Sequence, residues 1–330
     1  MEKKKVIIDC DPGIDDALAI LLALASPELE VLGITTVAGN VPPVQGAENV
    51  LKILEKFKCS PVPVYVGEKK PLVRTYIDAK DTHGDDGLGN SGLPESTKLH
   101  WRPGAVNYLL DTIKKTEGVT LLTIGPMTNI AVALQKEAKA FQNVREIISM
   151  GGNYHSFGNC SPVAEYNYWC DPDAAQLVYR KLGEMGKKIK MVGLDVTRQI
   201  VLTPNILAYM RFLNREIADF IEKITRFYFN FHWEHENLIG CVINDPLAVA
   251  YCIDPSLCRG IDAYTDVETT GLCMGQSIVD DKGFWGKRPN SYVLTRTDSF
   301  QFMSLFLSRL FKKDRKDIEI VLSSIMDRKE

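Results

Sequence analysis

Short apolar runs alternate with segments of helical periodicity along most of the chain. The apolar runs predict strands at 5–10, 29–38, 62–66, 119–124, 144–149, 188–192, 259–265, 276–281 and 291–297. The periodic segments predict helices at 15–25, 43–57, 103–116, 127–137, 171–181, 204–230, 245–252 and 298–325. Strands that alternate with helices form βαβ units, so the pattern predicts an α/β fold with an open, mostly parallel sheet flanked by helices.

Three long segments interrupt this alternation, at 72–100, 151–170 and 231–244, and we predict that they are loops. The first two are rich in polar residues and glycine, and the third contains two histidines and a tryptophan. Loops of this length inside a compact domain are usually functional. The chain has neither a linker-like segment nor an internal repeat, so we expect a single domain over residues 1–330.

Polar or glycine-containing segments follow four of the predicted strands directly. These are Asp9 to Asp11, Asn40, Ile124-Gly125 and Met150-Gly151-Gly152. In open α/β sheets, ligands bind beyond the carboxyl ends of the strands. We therefore expect the active site at this edge of the sheet.

Composition and charge exclude several classes of function. The 330 residues carry a net charge of −3, and the basic residues are scattered, so no strong field attracts nucleic acid or an anionic membrane. No apolar stretch reaches the roughly 18 residues of a membrane span. The N-terminus lacks the apolar region of a secretory signal. We expect a cytoplasmic protein that binds neither nucleic acid nor membrane, with its eight cysteines reduced.

Four aspartates, Asp9, Asp11, Asp15 and Asp16, lie within eight residues at the end of the first predicted strand. Helix capping explains one or two of them, because Asp is favoured where helix N–H groups are free. It does not explain four, since like charges in a low-dielectric cleft repel one another. A divalent cation removes that repulsion, and carboxylate oxygens favour a hard ion such as Ca²⁺ or Mg²⁺.

The same segment has a second interpretation. An apolar strand that ends in Asp-x-Asp is also typical of haloacid-dehalogenase-type phosphatases, whose motif usually continues with Gly-Thr or a similar pair. Here Asp11 is followed by Pro12-Gly13 and then by two more acids. This departure disfavours the phosphatase without excluding it.

The run from Asp9 to Ala17, Asp-Cys-Asp-Pro-Gly-Ile-Asp-Asp-Ala, resembles the N-terminal motif of inosine–uridine-type nucleoside hydrolases. Further motifs of that family follow in the same order along nearly the whole chain: Gly39-Asn40, His83-Gly84-x-x-Gly87-Leu88, Gly125-Pro126-Met127-Thr128-Asn129, Met150-Gly151-Gly152, Pro162-x-Ala164-Glu165-Tyr166-Asn167, Asp171-Pro172 and Asp245-Pro246-Leu247-Ala248. The resemblance implies a metal-dependent enzyme that hydrolyses the N-glycosidic bond of a ribonucleoside. It also implies a homo-oligomer, a dimer or a tetramer.

The resemblance implies roles for the matching residues. A bound Ca²⁺ would be held by Asp11, Asp16, Asp245 and the main-chain carbonyl of Ile124, and Asp11 would also take a proton from the attacking water. The sugar would be held by Asp15, Asn40 and Asn167 at the 2′,3′-diol, by Asn159 and Glu165 at the 5′-hydroxyl, and by Met150 beneath the ring. Carboxylates and amide oxygens suit this task, because glycosidic cleavage passes through an oxocarbenium-like transition state that is positive on the ribose.

One position departs from the family pattern. Many members carry His before the Asp-Pro of the last metal ligand, where it protonates the leaving base, but this chain has Asn244. Asn donates a hydrogen bond and cannot deliver a proton near neutral pH.

Three explanations of Asn244 stay open. Another histidine can act as the acid, with His83, His155, His232 and His235 as the candidates, of which His232 and His235 precede Asp245 in an aromatic setting. Aromatic stacking on the base by Tyr228, Phe229 or Trp233 can ease its protonation from solvent. Alternatively, the substrate is a modified nucleoside such as a 7-deazapurine, for example queuosine, whose base lacks the N7 that such an acid would protonate.

The sequence leaves three functions open. The first is metal-dependent ribonucleoside hydrolysis, the second is an Asp-x-Asp phosphatase, and the third is a non-catalytic nucleoside binder that kept the sugar site. The complete set of Asp11, Asp15, Asp16, Asn167 and Asp245 favours catalysis, because pure binding needs no base beside the metal.

Overall fold

The computed structural model describes residues 3–326. Its strands are β1 (Lys4–Cys10), β2 (Leu29–Thr36), β3 (Val64–Val66), β4 (Arg102–Pro103), β5 (Thr120–Thr123), β6 (Glu146–Met150), β7 (Ile189–Val192), β8 (Val201–Leu202), β9 (Cys241–Val242), β10 (Cys258–Val267), β11 (Ser277–Asp280) and β12 (Ser291–Thr297). Its α-helices are α1 (Ile14–Ala25), α2 (Pro43–Lys56), α3 (Lys80–His83), α4 (Ala105–Lys115), α5 (Thr128–Glu137), α6 (Tyr166–Cys170), α7 (Pro172–Glu184), α8 (Leu194–Thr197), α9 (Pro204–Leu213), α10 (Arg215–Glu236), α11 (Asp245–Ile253), α12 (Ser299–Phe311) and α13 (Arg315–Ile325). Short 3₁₀ helices lie at Ala138–Asn143, Pro255–Leu257 and Gly271–Cys273.

Ten of these strands form one sheet in the order β11-β10-β12-β7-β6-β5-β1-β2-β3-β4. All neighbours from β12 to β4 pair in parallel, and only β10 runs against its two neighbours. The prediction of an open, mostly parallel sheet flanked by helices is confirmed. The carboxyl ends of β1, β2, β5 and β6 therefore meet at one edge, as the sequence predicted.

Successive residues of β1 face opposite sides of the sheet, and each side carries a core. Val6 and Ile8 belong to the larger apolar cluster, which includes α1, α11 and α12, whereas Ile7 belongs to the cluster formed with α4, α5 and α7. Ten of the twelve residues of helix α1 are buried, and the helix is apolar throughout except for Asp15 and Asp16. It packs against α11, which brings the first residues of both helices to the same end of the sheet.

The structure corrects the prediction of a loop over 231–244. Helix α10 continues to Glu236 and ends where Asn237 adopts a left-handed conformation with φ of 53°. The continuation is amphipathic, since Tyr228 and His232 are buried one turn apart whereas Trp233 is exposed. The aromatic and charged residues of this segment hid its helical periodicity in the sequence.

Other predicted boundaries change less. The helical segment 204–230 is divided at Asn214, which caps α10, and the segment 298–325 is divided near Lys312. The predicted loop 151–170 contains the short helix α6, and α8 was not predicted. The loop 72–100 has α3 as its only α-helix within the described residues.

Two further expectations concern membrane-spanning helices and the number of domains. Among residues 3–326, none of the helices combines the length and the apolar character needed to cross a bilayer. The interpretation of residues 1–330 as a single domain stays a prediction, and its two ends lie outside the described residues.

Asn290 holds together the region where the sheet turns antiparallel. Its Oδ1 accepts from the Thr265 N–H of β10 at 2.7 Å, and its Nδ2 donates to the carbonyls of Thr265 at 2.9 Å and Tyr179 at 3.3 Å. The side chain is buried, so water cannot replace these bonds.

We expect Asn290→Ala to lower the free energy of unfolding by about 2–4 kcal/mol, because it leaves buried backbone groups of β10 and α7 without partners. Urea denaturation measures this change. The control is Arg288→Ala, an exposed position two residues earlier, which should change stability by less than about 0.5 kcal/mol. Equal stabilities of the two variants would contradict the assignment.

Candidate active site

A cavity opens at the carboxyl ends of the parallel strands. Its lining includes most of the residues predicted from the sequence: Asp15, Asn40, His83, Ile124, Met150, Asn159, Glu165, Asn167, Tyr228, His232, Asn244 and Asp245. Asp11 and Asp16 lie behind this lining and are completely buried. The four strand ends, the first turn of α1 and the first residue of α11 thus converge on one place.

A cluster of three buried acids lies at the inner end of the cavity. Asp15, Asp16 and Asp245 each offer a carboxylate oxygen, and these oxygens lie within 4.8 Å of one another, a geometry that could hold a metal ion. Burial and then the charge of Asp15 raise the pKa of Asp16 to about 7. Burial and the neighbouring carboxylates raise the pKa of Asp245 well above its usual value.

Backbone N–H groups hold the Asp16 carboxylate in place. Its Oδ1 accepts from the Asp11 N–H at 3.2 Å, and its Oδ2 accepts from the Gly13 N–H at 2.9 Å and from Asn40 Nδ2 at 3.2 Å. Gly13 and Asp16 form a capping arrangement at the start of α1. Asp16 therefore caps the helix and keeps its carboxylate beside those of Asp15 and Asp245.

Asp11 lies outside this group of three but next to it. Its Oδ2 accepts from the Asn40 N–H at 2.7 Å. Its Oδ1 is buried and has no hydrogen-bond partner among the described residues. A Cβ atom at Gly39 or Gly125 would overlap the Asp11 carboxylate, so both strand ends need glycine here. Burial and then the charge of Asp16 raise the pKa of Asp11 well above its usual value.

Glu165 and two asparagines form another side of the cavity. Glu165 caps α6, because Oε1 accepts from the Asn167 N–H at 2.8 Å and Oε2 accepts from the Gly152 N–H at 2.8 Å and the Tyr168 N–H at 3.1 Å. Burial raises the pKa of Glu165 to about 7, although these hydrogen bonds oppose the shift.

Hydrogen bonds also fix which end of each amide is available. Asn159 Oδ1 accepts from the Tyr166 N–H at 2.9 Å, so its Nδ2 is the end left for other contacts. Asn167 Nδ2 donates to the carbonyls of Ile124 at 3.0 Å and Met150 at 3.2 Å, which turns its oxygen away from them.

The histidines differ in what their rings can offer. His83 Nδ1 accepts from the Ile14 N–H at 3.1 Å, so the neutral ring carries its proton on Nε2. Both nitrogens of His232 are engaged with backbone: Nδ1 lies 2.9 Å from the Tyr228 carbonyl, and Nε2 accepts from the Val242 N–H at 3.3 Å. Burial lowers the pKa of both rings.

Three predicted contacts to the base therefore need correction. His232 borders the cavity but has no ring nitrogen free to protonate a base. His235 is exposed, and its Nδ1 lies 3.0 Å from the Phe231 carbonyl. Trp233 is 56% exposed and is not part of the cavity lining. The reason is the helical conformation of this segment, which turns residues 233 and 235 away from the buried face that carries Tyr228.

Asn244 is held tightly by Asp15. Its backbone N–H and its Nδ2 donate to Asp15 Oδ2 at 3.2 and 3.1 Å, and Nδ2 also donates to the Tyr228 hydroxyl at 3.2 Å. A carboxylate only accepts, so this contact fixes the orientation of the amide. The remaining atom, Oδ1, is buried and without a partner among the described residues. In this conformation Asp15 and Tyr228 engage the donors of Asn244, and none is left for the base.

Two charged residues of the cavity lining, Arg198 and Glu236, were not predicted from the sequence. Arg198 directly follows α8, a helix that was not predicted, so no strand-end signal identified it. Glu236 was hidden by the incorrect loop prediction.

Comparisons with known proteins agree with this geometry. The family model described as inosine-uridine preferring nucleoside hydrolase matches residues 6–304. The pyrimidine-specific ribonucleoside hydrolase RihB of Escherichia coli O157:H7 is 36% identical over 307 residues, which cover 92% of this chain and 96% of the relative. These values establish the family of the chain.

Solved structures give the same result. A purine-preferring ribonucleoside hydrolase from Gardnerella vaginalis superimposes with a TM-score of 0.87 at 34% identity, covering 94% of this chain and 98% of that one. The plant nucleoside hydrolase PpNRh1 gives a TM-score of 0.87 at 31% identity, covering 94% and 99%. The comparisons decide for a nucleoside hydrolase over the phosphatase and the non-catalytic binder.

We expect Glu165 to make stability fall as the pH rises. Its pKa is about 7 in the folded chain and 4.5 in the unfolded chain, so between these values the folded state keeps a proton that the unfolded state has lost. The contribution of Glu165 to the free energy of unfolding is complete below pH 4.5, declines between pH 4.5 and about pH 7, and is constant at higher pH. Relative to Glu165→Gln, the parent should lose about 2–3 kcal/mol of unfolding free energy from pH 4.5 to 7.5.

Denaturation with a chelator present at several pH values measures this difference. The matched control is Glu184→Gln, whose side chain is 63% exposed and which should follow the parent at every pH. If the free energies of unfolding of the parent and of Glu165→Gln changed in parallel with pH, the expectation would be refuted.

Proposed function

Because the chain belongs to the inosine-uridine preferring nucleoside hydrolase family and hydrolyses ribonucleosides, we propose that it does so with a Ca²⁺ ion held by its buried acids. The observation that carries this proposal is the cluster of Asp15, Asp16 and Asp245 at the inner end of the cavity. Three buried carboxylates so close together repel one another strongly unless a cation or protons balance them.

The donor set fits a hard cation. All candidate ligands are oxygen atoms, and the buried Oδ1 of Asp11 has no other partner among the described residues. The Ile124 carbonyl accepts from Asn167 Nδ2 and has a second lone pair for an ion. We assign Asp11, Asp16, Asp245 and the Ile124 carbonyl as the ligands and Asp15 as a contact to the sugar. When bound, such an ion orients the ribose diol and acidifies a water molecule.

We assign the role of general base to Asp11. Its Oδ2 is held by the Asn40 N–H, and its Oδ1 has one lone pair for the ion and a second to accept a proton from the water that attacks C1′ of the ribose. Burial and the charge of Asp16 raise the pKa of Asp11, so its carboxylate, when ionised, is a stronger proton acceptor than an exposed aspartate. The bond from C1′ to the base nitrogen breaks as the sugar becomes oxocarbenium-like.

The amides and carboxylates around the sugar complete the site. We assign Asn40, Asn167 and Asp15, which all line the cavity, to the diol. We assign the free Nδ2 of Asn159 and the carboxylate of Glu165 to the 5′-hydroxyl. Met150 is buried beside Asn167 and provides the apolar surface beneath the ring.

The leaving base receives hydrogen bonds from two donors. His83 carries its ring proton on Nε2, and the Tyr228 hydroxyl accepts from Asn244 and so keeps its own proton for another partner. Burial and Asp15 raise the pKa of Tyr228 well above its usual value, so the phenol stays protonated. We propose that these groups stabilise the departing base by hydrogen bonding, in place of full proton transfer from an imidazolium.

The identity of the base stays open. The relatives named above include a pyrimidine-specific and a purine-preferring enzyme. The engagement of the Asn244 Nδ2 by Asp15 and Tyr228 is compatible with a modified base such as a 7-deazapurine, which has no N7 to protonate. A homo-oligomeric state and a cytoplasmic location stay predictions.

The proposal is tested by measuring free base released from a panel of nucleosides, including 7-deazapurine nucleosides, before and after metal removal. We expect stripping to abolish activity and CaCl₂ to restore it. At about a hundredfold excess over its dissociation constant, Ca²⁺ should also stabilise the fold by about 2.7 kcal/mol. Asp16→Asn should lose this stabilisation, whereas Asp262→Asn, which changes an exposed acid, should keep it. Full activity of a completely stripped sample would refute the metal assignment.

The absence of an imidazolium acid predicts a strong dependence on the leaving group. General acid catalysis contributes about 10²–10⁴-fold in rate, so p-nitrophenyl riboside, which needs no acid, should be cleaved at least about 100-fold faster than inosine in kcat/KM. Tyr228→Phe should slow the hydrolysis of inosine by about tenfold and that of the p-nitrophenyl riboside by less than about threefold. Similar kcat/KM values for both substrates in the parent would show that a strong acid is present.

A further inference from the structure

A segment that directly precedes the cavity-lining residue Asn159 is held by hydrogen bonds to its backbone N–H groups and to its carbonyls, all from residues of one helical turn. The segment is 154–158, and the turn contains Asp195 of α8 and Arg198 just after it. The Asp195 carboxylate accepts from three successive backbone N–H groups, those of Tyr154 at 2.6 Å, His155 at 2.7 Å and Ser156 at 3.1 Å. These bonds anchor the start of the segment.

Arg198 holds the remainder of the segment. Its Nη1 donates to Ser156 Oγ and to the Phe157 carbonyl, both at 2.6 Å, and its Nη2 donates to the Gly158 carbonyl at 3.0 Å. The guanidinium also stacks on the Phe157 ring, 3.7 Å from its centroid. One planar group thereby satisfies three acceptors on three consecutive residues, an arrangement that a lysine ammonium cannot reproduce.

The same guanidinium is held from the other side by the end of α10. Arg198 Nη2 lies 3.2 Å from Glu236 Oε1, and both side chains are largely buried, at 17% and 23% exposure. A partly buried, charge-assisted pair of this kind orients a guanidinium more firmly than an exposed pair does. The 154–158 segment and the helix that carries Tyr228 are thus tied through one side chain.

Asn159 is the next residue after this segment. Its backbone N–H donates to the Ala164 carbonyl at 3.1 Å, and its Oδ1 accepts from the Tyr166 N–H, so the direction of its Nδ2 depends on this hydrogen bond and on the position of the Asn159 backbone. That position follows directly from the Gly158 carbonyl, which Arg198 holds. A shift of this carbonyl would move the amide away from the 5′ end of the sugar.

We propose that Arg198 is a positioning residue that fixes the Asn159 amide against the 5′-hydroxyl of the substrate and so sets the enzyme's selectivity for that hydroxyl. The inference rests on the proposed function in one respect, the assignment of Asn159 to the 5′-hydroxyl. Arg198 makes no contact with the reacting atoms in this scheme. It acts through the backbone of the 156–158 segment, and Glu236 holds its guanidinium in the required orientation.

The test is the ratio of kcat/KM for a nucleoside to kcat/KM for its 5′-deoxy analogue. The substrate pair is uridine and 5′-deoxyuridine if the enzyme cleaves uridine, and inosine and 5′-deoxyinosine if it cleaves inosine. The ratio cancels the fraction of active protein, because both substrates are measured on one preparation. We expect the ratio to fall about tenfold in Asn159→Ala and at least about fivefold in Arg198→Met. Arg198→Lys should retain part of the ratio that Arg198→Met loses, because lysine keeps the positive charge but lacks the planar guanidinium and its fixed set of donors.

The matched control is Arg315→Met. Arg315 also donates from Nη2 to a backbone carbonyl and a side chain, those of Gln301, and pairs with Glu319 at 3.3 Å, but it lies on α13 outside the cavity lining. This variant should lose stability and keep the parental ratio. The double variant Asn159→Ala with Arg198→Met should show no lower ratio than Asn159→Ala alone, because both changes remove the same contact.

The outcomes separate the two assignments. If the parent itself does not distinguish the paired substrates, Asn159 does not bind the 5′-hydroxyl, and both the assignment and this inference fail. If Asn159→Ala loses the ratio and Arg198→Met keeps it, the sugar contact stands and the positioning role of Arg198 is overturned.

Discussion

The carboxylates of Asp11, Asp15, Asp16 and Asp245 are buried beside one another, and their mutual repulsion must be balanced before the sheet and helices can close around them. Part of the balance comes from backbone N–H groups at the start of α1, which hold Asp16. Burial and the neighbouring charges raise the pKa of Asp11, Asp16 and Asp245 despite these hydrogen bonds, so protons or a cation must supply the rest. The stability of this fold and the chemistry of its cavity therefore depend on the same charges.

The acids also determine what the neighbouring amides present to a substrate. An amide has a donor end and an acceptor end, whereas an ionised carboxylate only accepts. Asp15 therefore takes the Nδ2 end of Asn244 and leaves the oxygen without a partner among the described residues. Asp16 takes the Nδ2 end of Asn40 in the same way. Asn159 is oriented in the opposite sense by a backbone N–H, so it presents a donor. The polarity of the site follows from these partners as much as from the amides themselves.

The sheet and the acid cluster could be predicted from sequence because both leave short-range signals. Apolar runs that alternate with periodic segments specify parallel strands, and polar residues at strand ends specify the edge where Asp11 and Asn40 meet. The conformation of 231–236 could not be predicted, because its helical stripe is carried by Tyr228 and His232 among residues of weak helical preference. The loss of both His232 nitrogens to backbone partners was equally invisible, since Val242 is ten residues away along the chain.

The central place of β1 in the sheet has a consequence for the order in which the molecule can be assembled. β1 is covered on one side by β2, which follows soon after, but on the other side by β5, which begins at Thr120. Asp15 meets Asn244 across 229 positions of the chain. Contacts of such long range form late, because the entropy of closing the intervening chain must first be overcome. The cluster of Asp15, Asp16 and Asp245 is therefore completed only when nearly the whole chain has come together. A cation held there would stabilise the folded chain and would not guide its early folding steps.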